Sequence, residues 1–268
     1  MTYILVRLHG TSYAVPAEHT LEVLHGARVT VTPVPGGDPA MLGVLDLRGT
    51  LLPAIDLRVV MGMTSFAAEL TSVRELLAAR ERDHVQWLDE LRRCASCGDP
   101  FTKATDPTRC AFGVWYSGLQ ADPKELGRLT GQRLAQQAVV ASWDAPHRAI
   151  HALADRVLEQ AGRGDTDAAQ HLLRTGESEL AGLRASFKEF LTLFEEQRRA
   201  MLVVCQAGDQ LVALAVDEVL AVEELDESRI SELPPMVATA QRCLSGTYRR
   251  EDGELVHLVE PRRVAATT

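Results

Sequence analysis

No run of this sequence approaches the roughly 20 consecutive apolar residues that a membrane-crossing helix needs, so direct membrane insertion is not expected. The opening "MTYILVRLHG" lacks the basic segment, apolar core and cleavage site of a secretory leader, and a cytoplasmic location is expected. An excess of positive charge is also missing: the formal net charge is −9, which does not favour a nucleic-acid-binding face. Five cysteines, at 94, 97, 110, 205 and 243, are an odd count in a long chain and do not make a disulfide framework. There is no glycine-rich phosphate loop, no serine-centred GxSxG elbow, no internal repeat and no low-complexity tract. No catalytic constellation emerges, and an enzyme is not expected.

What is present is the composition of an ordinary globular protein, 46% hydrophobic and 24% charged over 268 residues. That length suits two modest domains or one large one. Residues 1–62 read as β: "YILVRL", "SYAVP", "TLEVL" and "GVLDLRGTLLPAIDL" are short, aliphatic and broken by Gly and Pro. "HGTSY" is a hairpin signal and "VPGGDP" a loop. Between 66 and 198 the apolar period becomes helical. Leu173, Leu180, Leu183, Phe187, Phe190 and Phe194 predict one long helix over about 166–198, capped by Asp165 or Thr166. Leu70, Val73, Leu77, His84, Trp87 and Leu91 predict another over about 67–94. Two more are expected over 123–141 and 145–162, the latter opening with Asp144 as N-cap and Pro146 in its first turn. Residues 200–264 return to β, with "AGDQ" at a bend, "ELPPM" as a loop and a strand after the turn in "DGELVHLVEP". Neither β piece is long enough to be a comfortable domain, whereas together they make one. The helical block then reads as an insertion with its ends close together, as opposed to three small domains in a row.

His84 falls in an apolar helical stripe, and His147 and His151 sit one turn apart in "PHRAIH" on the side that carries Ile150 and Ala154. Taken singly, each is explained as a core histidine bonded to a carbonyl. Three in one small bundle raise a shared metal, and Cys110 in "RCAFGVWY" supplies a fourth donor. A His₃Cys set suits tetrahedral zinc, with N and S at about 2.0–2.1 and 2.3 Å. Spacing alone leaves both readings open. "CASC" offers Cys94 and Cys97 as a rival half-site with Cys110 and His84, as a redox pair, or as plain helix-end thiols. A zinc hydrolase does not fit: Arg148 stands where an HExxH motif places its glutamate, and four protein ligands leave no open position.

"DHVQWL", "RCAFGVWY", "PHRAIH" and "GDTDAAQHLL" together resemble the chemoreceptor zinc-binding (CZB) domain over most of residues 66–197. The resemblance implies a four-helix bundle with zinc on His84, Cys110, His147 and His151; Cys94 and Cys97 lie outside the family pattern. The flanking blocks resemble the CheW-like domain of bacterial chemotaxis. "GVLDLRGTLLPAIDLR", "LVALAVDEVLAVEEL", "ELPPM" and "LSGTYRREDGELVHLVE" follow in the family's order, whereas Pro261 in "VEPRR" interrupts its helical tail. The implied fold class is α+β multidomain: a CheW-like pair of small five-stranded SH3-like β-barrels, with an inserted all-α zinc-binding four-helix bundle. The expected boundaries are 1–63 plus 199–268 for the discontinuous coupling domain and 64–198 for the insertion.

The resemblance implies a non-enzymatic scaffold that binds a CheA-type histidine kinase, the cytoplasmic tip of a chemoreceptor, or both, with Arg48 at the contact. It further implies that zinc, or an oxidant such as hypochlorous acid acting at Cys110, sets the coupling. The alternative is a constitutive zinc staple in an adaptor that dimerises through its bundle, the Leu173–Phe194 stripe being its self-association face.

Overall fold

The computed structural model describes residues 1–131, 133–197 and 201–266. Position 198 of the second long helix, positions 199–200 at the expected start of the second β segment, and 267–268 lie outside the described residues. The chain divides into two compact units, Met1–Glu69 with Gln197–Thr268, and Leu70–Glu196.

In the first unit the chain runs β1 (Thr2–Leu8), β2 (Thr11–Pro16), β3 (Thr20–His25), β4 (Val31–Thr32), β5 (Met41–Leu47), β6 (Thr50–Asp56) and the short helix α1 (Leu57–Val60). It enters the helical unit through α2 (Phe66–Cys97), α3 (Ala111–Ala121), α4 (Pro123–Thr130), α5 (Leu134–Ala141), α6 (Asp144–His151), α7 (Ala154–Gly162) and α8 (Thr166–Gln197). It returns with β7 (Met201–Ala207), β8 (Gln210–Val216), β9 (Glu218–Glu224), β10 (Ile230–Ser231), α9 (Pro235–Ala240), β11 (Leu244–Arg249), β12 (Leu255–Val259) and α10 (Pro261–Ala265).

Two sheets form, in the orders β10-β11-β12-β2-β1-β9 and β3-β7-β8-β6-β5-β4. Each has six strands, not five, because the two-residue strands β10 and β4 extend their edges. Both sheets mix strands from the two ends of the chain: β7 and β8 lie between β3 and β6, and β12 pairs in parallel with β2. Neither β segment can therefore complete a sheet alone. Strand β1 shows why its run is almost continuously apolar. Tyr3 and Leu5 face a cluster within the first sheet, with Tyr248 and Val256. Ile4, Val6 and Leu8 face the shared core, with Ile55, Val203 and Leu214 of the second. With side chains alternating sides, both faces are buried and polar alternation disappears.

The β1–β2 and β5–β6 hairpins turn through His9-Gly10 and Arg48-Gly49, all at positive φ, as a type I′ turn requires. Pro261 starts a helix instead of ending the fold. At the first position of α10 its missing N–H is no loss, and Glu260 caps the Arg262 N–H. "ELPPM" likewise leads into α9, with Pro235 in its first turn. The β unit also holds a buried ion cluster. Arg58 of α1 donates to both Asp217 carboxylate oxygens, at 2.5 and 2.6 Å, and to Glu69 in the first turn of α2 at 2.8 Å.

In the helical unit, α2 and α8 run antiparallel. The pairs Arg74–Glu195, Glu81–Arg184 and Arg92–Glu177 advance along one helix as they retreat along the other. All six residues of the Leu173–Phe194 stripe are buried. The expected 123–141 helix is two, because Gly131 at φ 58 caps α4 in the left-handed region; position 132 lies outside the described residues. The expected 145–162 helix is also two. After His151 the ladder tightens, Leu153 N–H bonding to the Ile150 carbonyl three residues back. Asp144 is the first residue of α6, not its cap, and pairs with Arg148 at 2.7 Å. At α8, Asp165 does cap, accepting the Ala168 N–H at 3.0 Å.

Candidate metal centre

Three elements bring His84, Cys110, His147 and His151 together. His84 lies on the inner face of α2, the two other histidines occupy the i, i+4 face of α6, and Cys110 is the N-cap of α3. One donor atom from each lies within 4.8 Å of the others. All three imidazoles are 2% exposed.

The rings are held so that their Nε2 atoms remain available. His84 Nδ1 stands 2.7 Å from the Arg80 carbonyl one turn back, and His151 Nδ1 stands 3.1 Å from the Ala104 carbonyl. A carbonyl only accepts, so each Nδ1 carries the proton and each Nε2 keeps its lone pair. Both of those Nε2 atoms are buried and, among the described residues, have no hydrogen-bond partner. His147 Nε2 lies 3.2 Å from Cys110 Sγ. That sulfur in turn accepts the Gly113 N–H at 3.2 Å. Two buried, unpartnered imidazole nitrogens aimed at a third imidazole and a thiol form a set of neutral nitrogen and sulfur donors that fits zinc.

The electrostatics keep the histidines in their ligating form. Burial, then the neighbouring His84 ring, lowers His147 to about 3 and His151 to about 4; burial lowers His84 as well. Burial pushes the Cys110 thiol up and outweighs the Gly113 and Phe112 N–H groups that favour the thiolate. Aromatic rings wall the cluster: Phe112 stands 4.5 Å from His147 and Trp87 4.9 Å from His151, centroid to centroid.

The sequence pattern pointed to the four donors and missed what aims them. The Ala104 carbonyl receives both His151 Nδ1 and the Trp87 Nε1–H, at 3.1 and 2.8 Å. Gly113 is required sterically, since a Cβ there would overlap the Pro107 carbonyl and stand 3.0 Å from Thr108 Cα. Main-chain acceptors leave no residue-type signal; the glycine of the Cys-x-x-Gly string was the one readable trace. Cys94 and Cys97 stand outside the four-donor group, in the last turn of α2. Arg48 is at the tip of the β5–β6 hairpin, its side chain 81% exposed and 3.1 Å from Glu22.

No helix among the described residues is long and apolar enough to cross a membrane. No curated protein matches the chain. Among solved structures, the scaffolding protein TtCheW from Thermoanaerobacter tengcongensis is similar at 11% identity, over 98% of this chain and 86% of that one, with a TM-score of 0.45. The model of the chemoreceptor zinc-binding domain matches residues 84–158, the span that carries all four donors. The CheW-like domain model matches residues 2–85 and 180–268 on either side, more than half of the sequence, and the protein therefore belongs to the CheW-like family, with a chemoreceptor zinc-binding domain inserted in it.

Proposed function

We propose that this protein is a non-enzymatic chemotaxis coupling scaffold whose binding to a CheA-type histidine kinase, a chemoreceptor tip, or both is set by zinc held at His84, Cys110, His147 and His151. The observation that carries the reading is the pair of buried Nε2 atoms of His84 and His151, fixed by carbonyls in the tautomer a metal needs and without a partner among the described residues. Zinc bound there supplies a crosslink among α2, α3 and α6, with Cys110 as thiolate. The chain's own residues do the rest. Arg80 and Ala104 orient two imidazoles, Gly113 orients the sulfur, and Phe112 and Trp87 keep water out.

Arg48 is the proposed partner contact. It holds an arginine at φ 56, where hairpin chemistry favours Asn or Gly, and it is far more exposed than a structural ion pair requires. Leu51 beside it is 72% exposed, which adds apolar area to the same hairpin.

The test measures bound zinc by mass spectrometry in the native chain and in Cys110→Ala, and partner affinity with and without a chelator. One zinc per chain, lost in the variant, with an affinity that shifts on chelation, is expected. Equal affinity in both states would leave the constitutive staple as the reading, and unchanged stoichiometry in Cys110→Ala would remove the site.

A further inference from the structure

Cys94 and Cys97 close the last turn of α2, and the zinc reading leaves them without a role. Their surroundings are specific. One guanidinium, that of Arg93, reaches both sulfurs, at 3.5 Å to Cys94 and 3.4 Å to Cys97. Cys94 is buried, and its Sγ also faces the Pro100 carbonyl at 3.7 Å. Cys97 is exposed and its Sγ lies 3.3 Å from the Asp99 carboxylate. The two thiols thus tether the start of the segment 98–109. The same segment carries Phe101, 5.1 Å from the Trp87 ring, and Ala104, whose carbonyl orients His151.

We propose that Cys94 and Cys97 form a reversible dithiol–disulfide switch, distinct from the metal centre, whose oxidation loosens segment 98–109 and with it the hold on His151. In an α-helix, residues three apart have Cα atoms about 5 Å apart, within the range of a disulfide. Their Cβ atoms are about 5–6 Å apart, whereas a disulfide brings them to about 3.5–4.5 Å. The bond therefore forms only if the last turn deforms. The turn is placed to do so, since Cys97 is the final helical residue and Gly98 leaves it at φ 74. The deformation pulls Cys94 from Pro100 and Cys97 from Asp99, and a strained bond is also readily reduced again.

The chemistry balances with a peroxide as oxidant. The exposed Cys97 thiolate attacks one peroxide oxygen; the O–O bond breaks, hydroxide leaves and takes up the thiol's proton as water, and Cys97 becomes a sulfenic acid. The Cys94 sulfur then attacks that sulfur; the S–O bond breaks, a second water leaves with the Cys94 proton, and the disulfide remains. Two thiols and one peroxide thus give one disulfide and two waters. A thiol reductant such as glutathione reverses it, being oxidised in turn.

The effect on zinc rests on the proposed metal site, whereas the disulfide does not, and the experiment separates the two. The full zinc-loaded chain and Cys94→Ser/Cys97→Ser are treated with sub-stoichiometric hydrogen peroxide, then alkylated and digested with trypsin. Cleavage after Arg93, Lys103 and Arg109 places both thiols on peptide 94–103 and Cys110 on another. Peptide 94–103 is expected to lose two hydrogens and resist alkylation while Cys110 stays reduced. Transfer of zinc to a chromophoric chelator is expected to quicken about tenfold in the native chain, within the range for loss of an outer partner of a metal ligand, to return on reduction, and to stay constant in the double variant. Full alkylation of peptide 94–103 after peroxide, linkage of Cys97 to Cys110, or a disulfide that leaves the transfer rate unchanged would each overturn the proposal. A preparation that carries no zinc at all would instead refute the metal reading, and the peptide mass would still decide on the disulfide.

Discussion

Gly113→Ala changes no candidate donor atom, yet it should disable the proposed metal centre. Gly113 is buried in the first turn of α3, where its N–H holds Cys110 Sγ at 3.2 Å. An added Cβ would overlap the Pro107 carbonyl oxygen and stand 2.8 Å from Pro107 C. Carbon atoms rest about 3.5–4.0 Å apart, so segment 107–110 must retreat on the order of 1 Å. Metal–ligand distances tolerate only about ±0.2 Å. Displacing the sulfur and its outer-shell N–H together should therefore weaken zinc binding at least 10–100-fold. For stability, overpacking costs about 1–3 kcal/mol and exceeds the roughly 1 kcal/mol that Ala gains over Gly inside a helix. Gly118, exposed in the same helix with nothing within 4 Å of its added Cβ, is the control. Gly118→Ala should stabilise by about 0.5–1 kcal/mol and keep native zinc affinity. Chelator competition and denaturant melts measure both. If Gly113→Ala binds zinc normally and gains stability like Gly118→Ala, the steric account of the site is wrong.

Three further perturbations test the two units, each by itself. Asp217→Asn strips the bidentate carboxylate from an Arg58 that is 2% exposed but leaves its pair with Glu69, and should destabilise the β unit by about 1.5–3 kcal/mol in urea titrations. Arg148→Ala, which breaks an exposed pair with Asp144, should leave the unfolding midpoint nearly unchanged in the same titrations. Trp87→Phe removes the N–H that shares the Ala104 carbonyl with His151, and should lower zinc affinity about tenfold in chelator competition with little change in helix content by circular dichroism.

The sequence carried the architecture where pattern and burial coincide. The six-residue stripe of α8 is legible because one face of a long helix is buried, and the β segments because strands such as β1 are buried on both. The four candidate donors that the structure brings together were legible because histidine and cysteine are rare and i, i+4 spacing converges. Helix α3 was not: "AFGVWYSGL" is apolar at most positions, which hides the buried Phe112, Tyr116 and Leu119 face. The splits at Gly131 and after His151 escaped because one hangs on a backbone angle and the other on a shift in hydrogen-bond partner. Pro261 misled for a related reason, since proline ends a helix from within but begins one at its first turn.

Removing the metal should expose an imbalance that the protein cannot relieve at neutral pH. The Nε2 atoms of His84 and His151 would then be buried acceptors without donors. Each costs about 1–3 kcal/mol, or about 2–6 kcal/mol for the pair, a fall of roughly 10 °C or more in the melting of a unit this size. Protonation does not rescue them, because burial holds His151 near 4 and keeps His84 below its ordinary value, with the neighbouring His147 near 3, against about 6.5 in the unfolded chain. Between those values the unfolded state binds more protons, so the stripped bundle should lose stability as pH falls from about 6.5 towards 4, and should be insensitive to these groups above 7. Differential scanning calorimetry with and without chelator, at pH 7.5 and 5.5, reads both effects. A melting temperature unmoved by the chelator at pH 7.5 would mean that the two nitrogens gain partners once the metal leaves, and that the cluster is an ordinary histidine core.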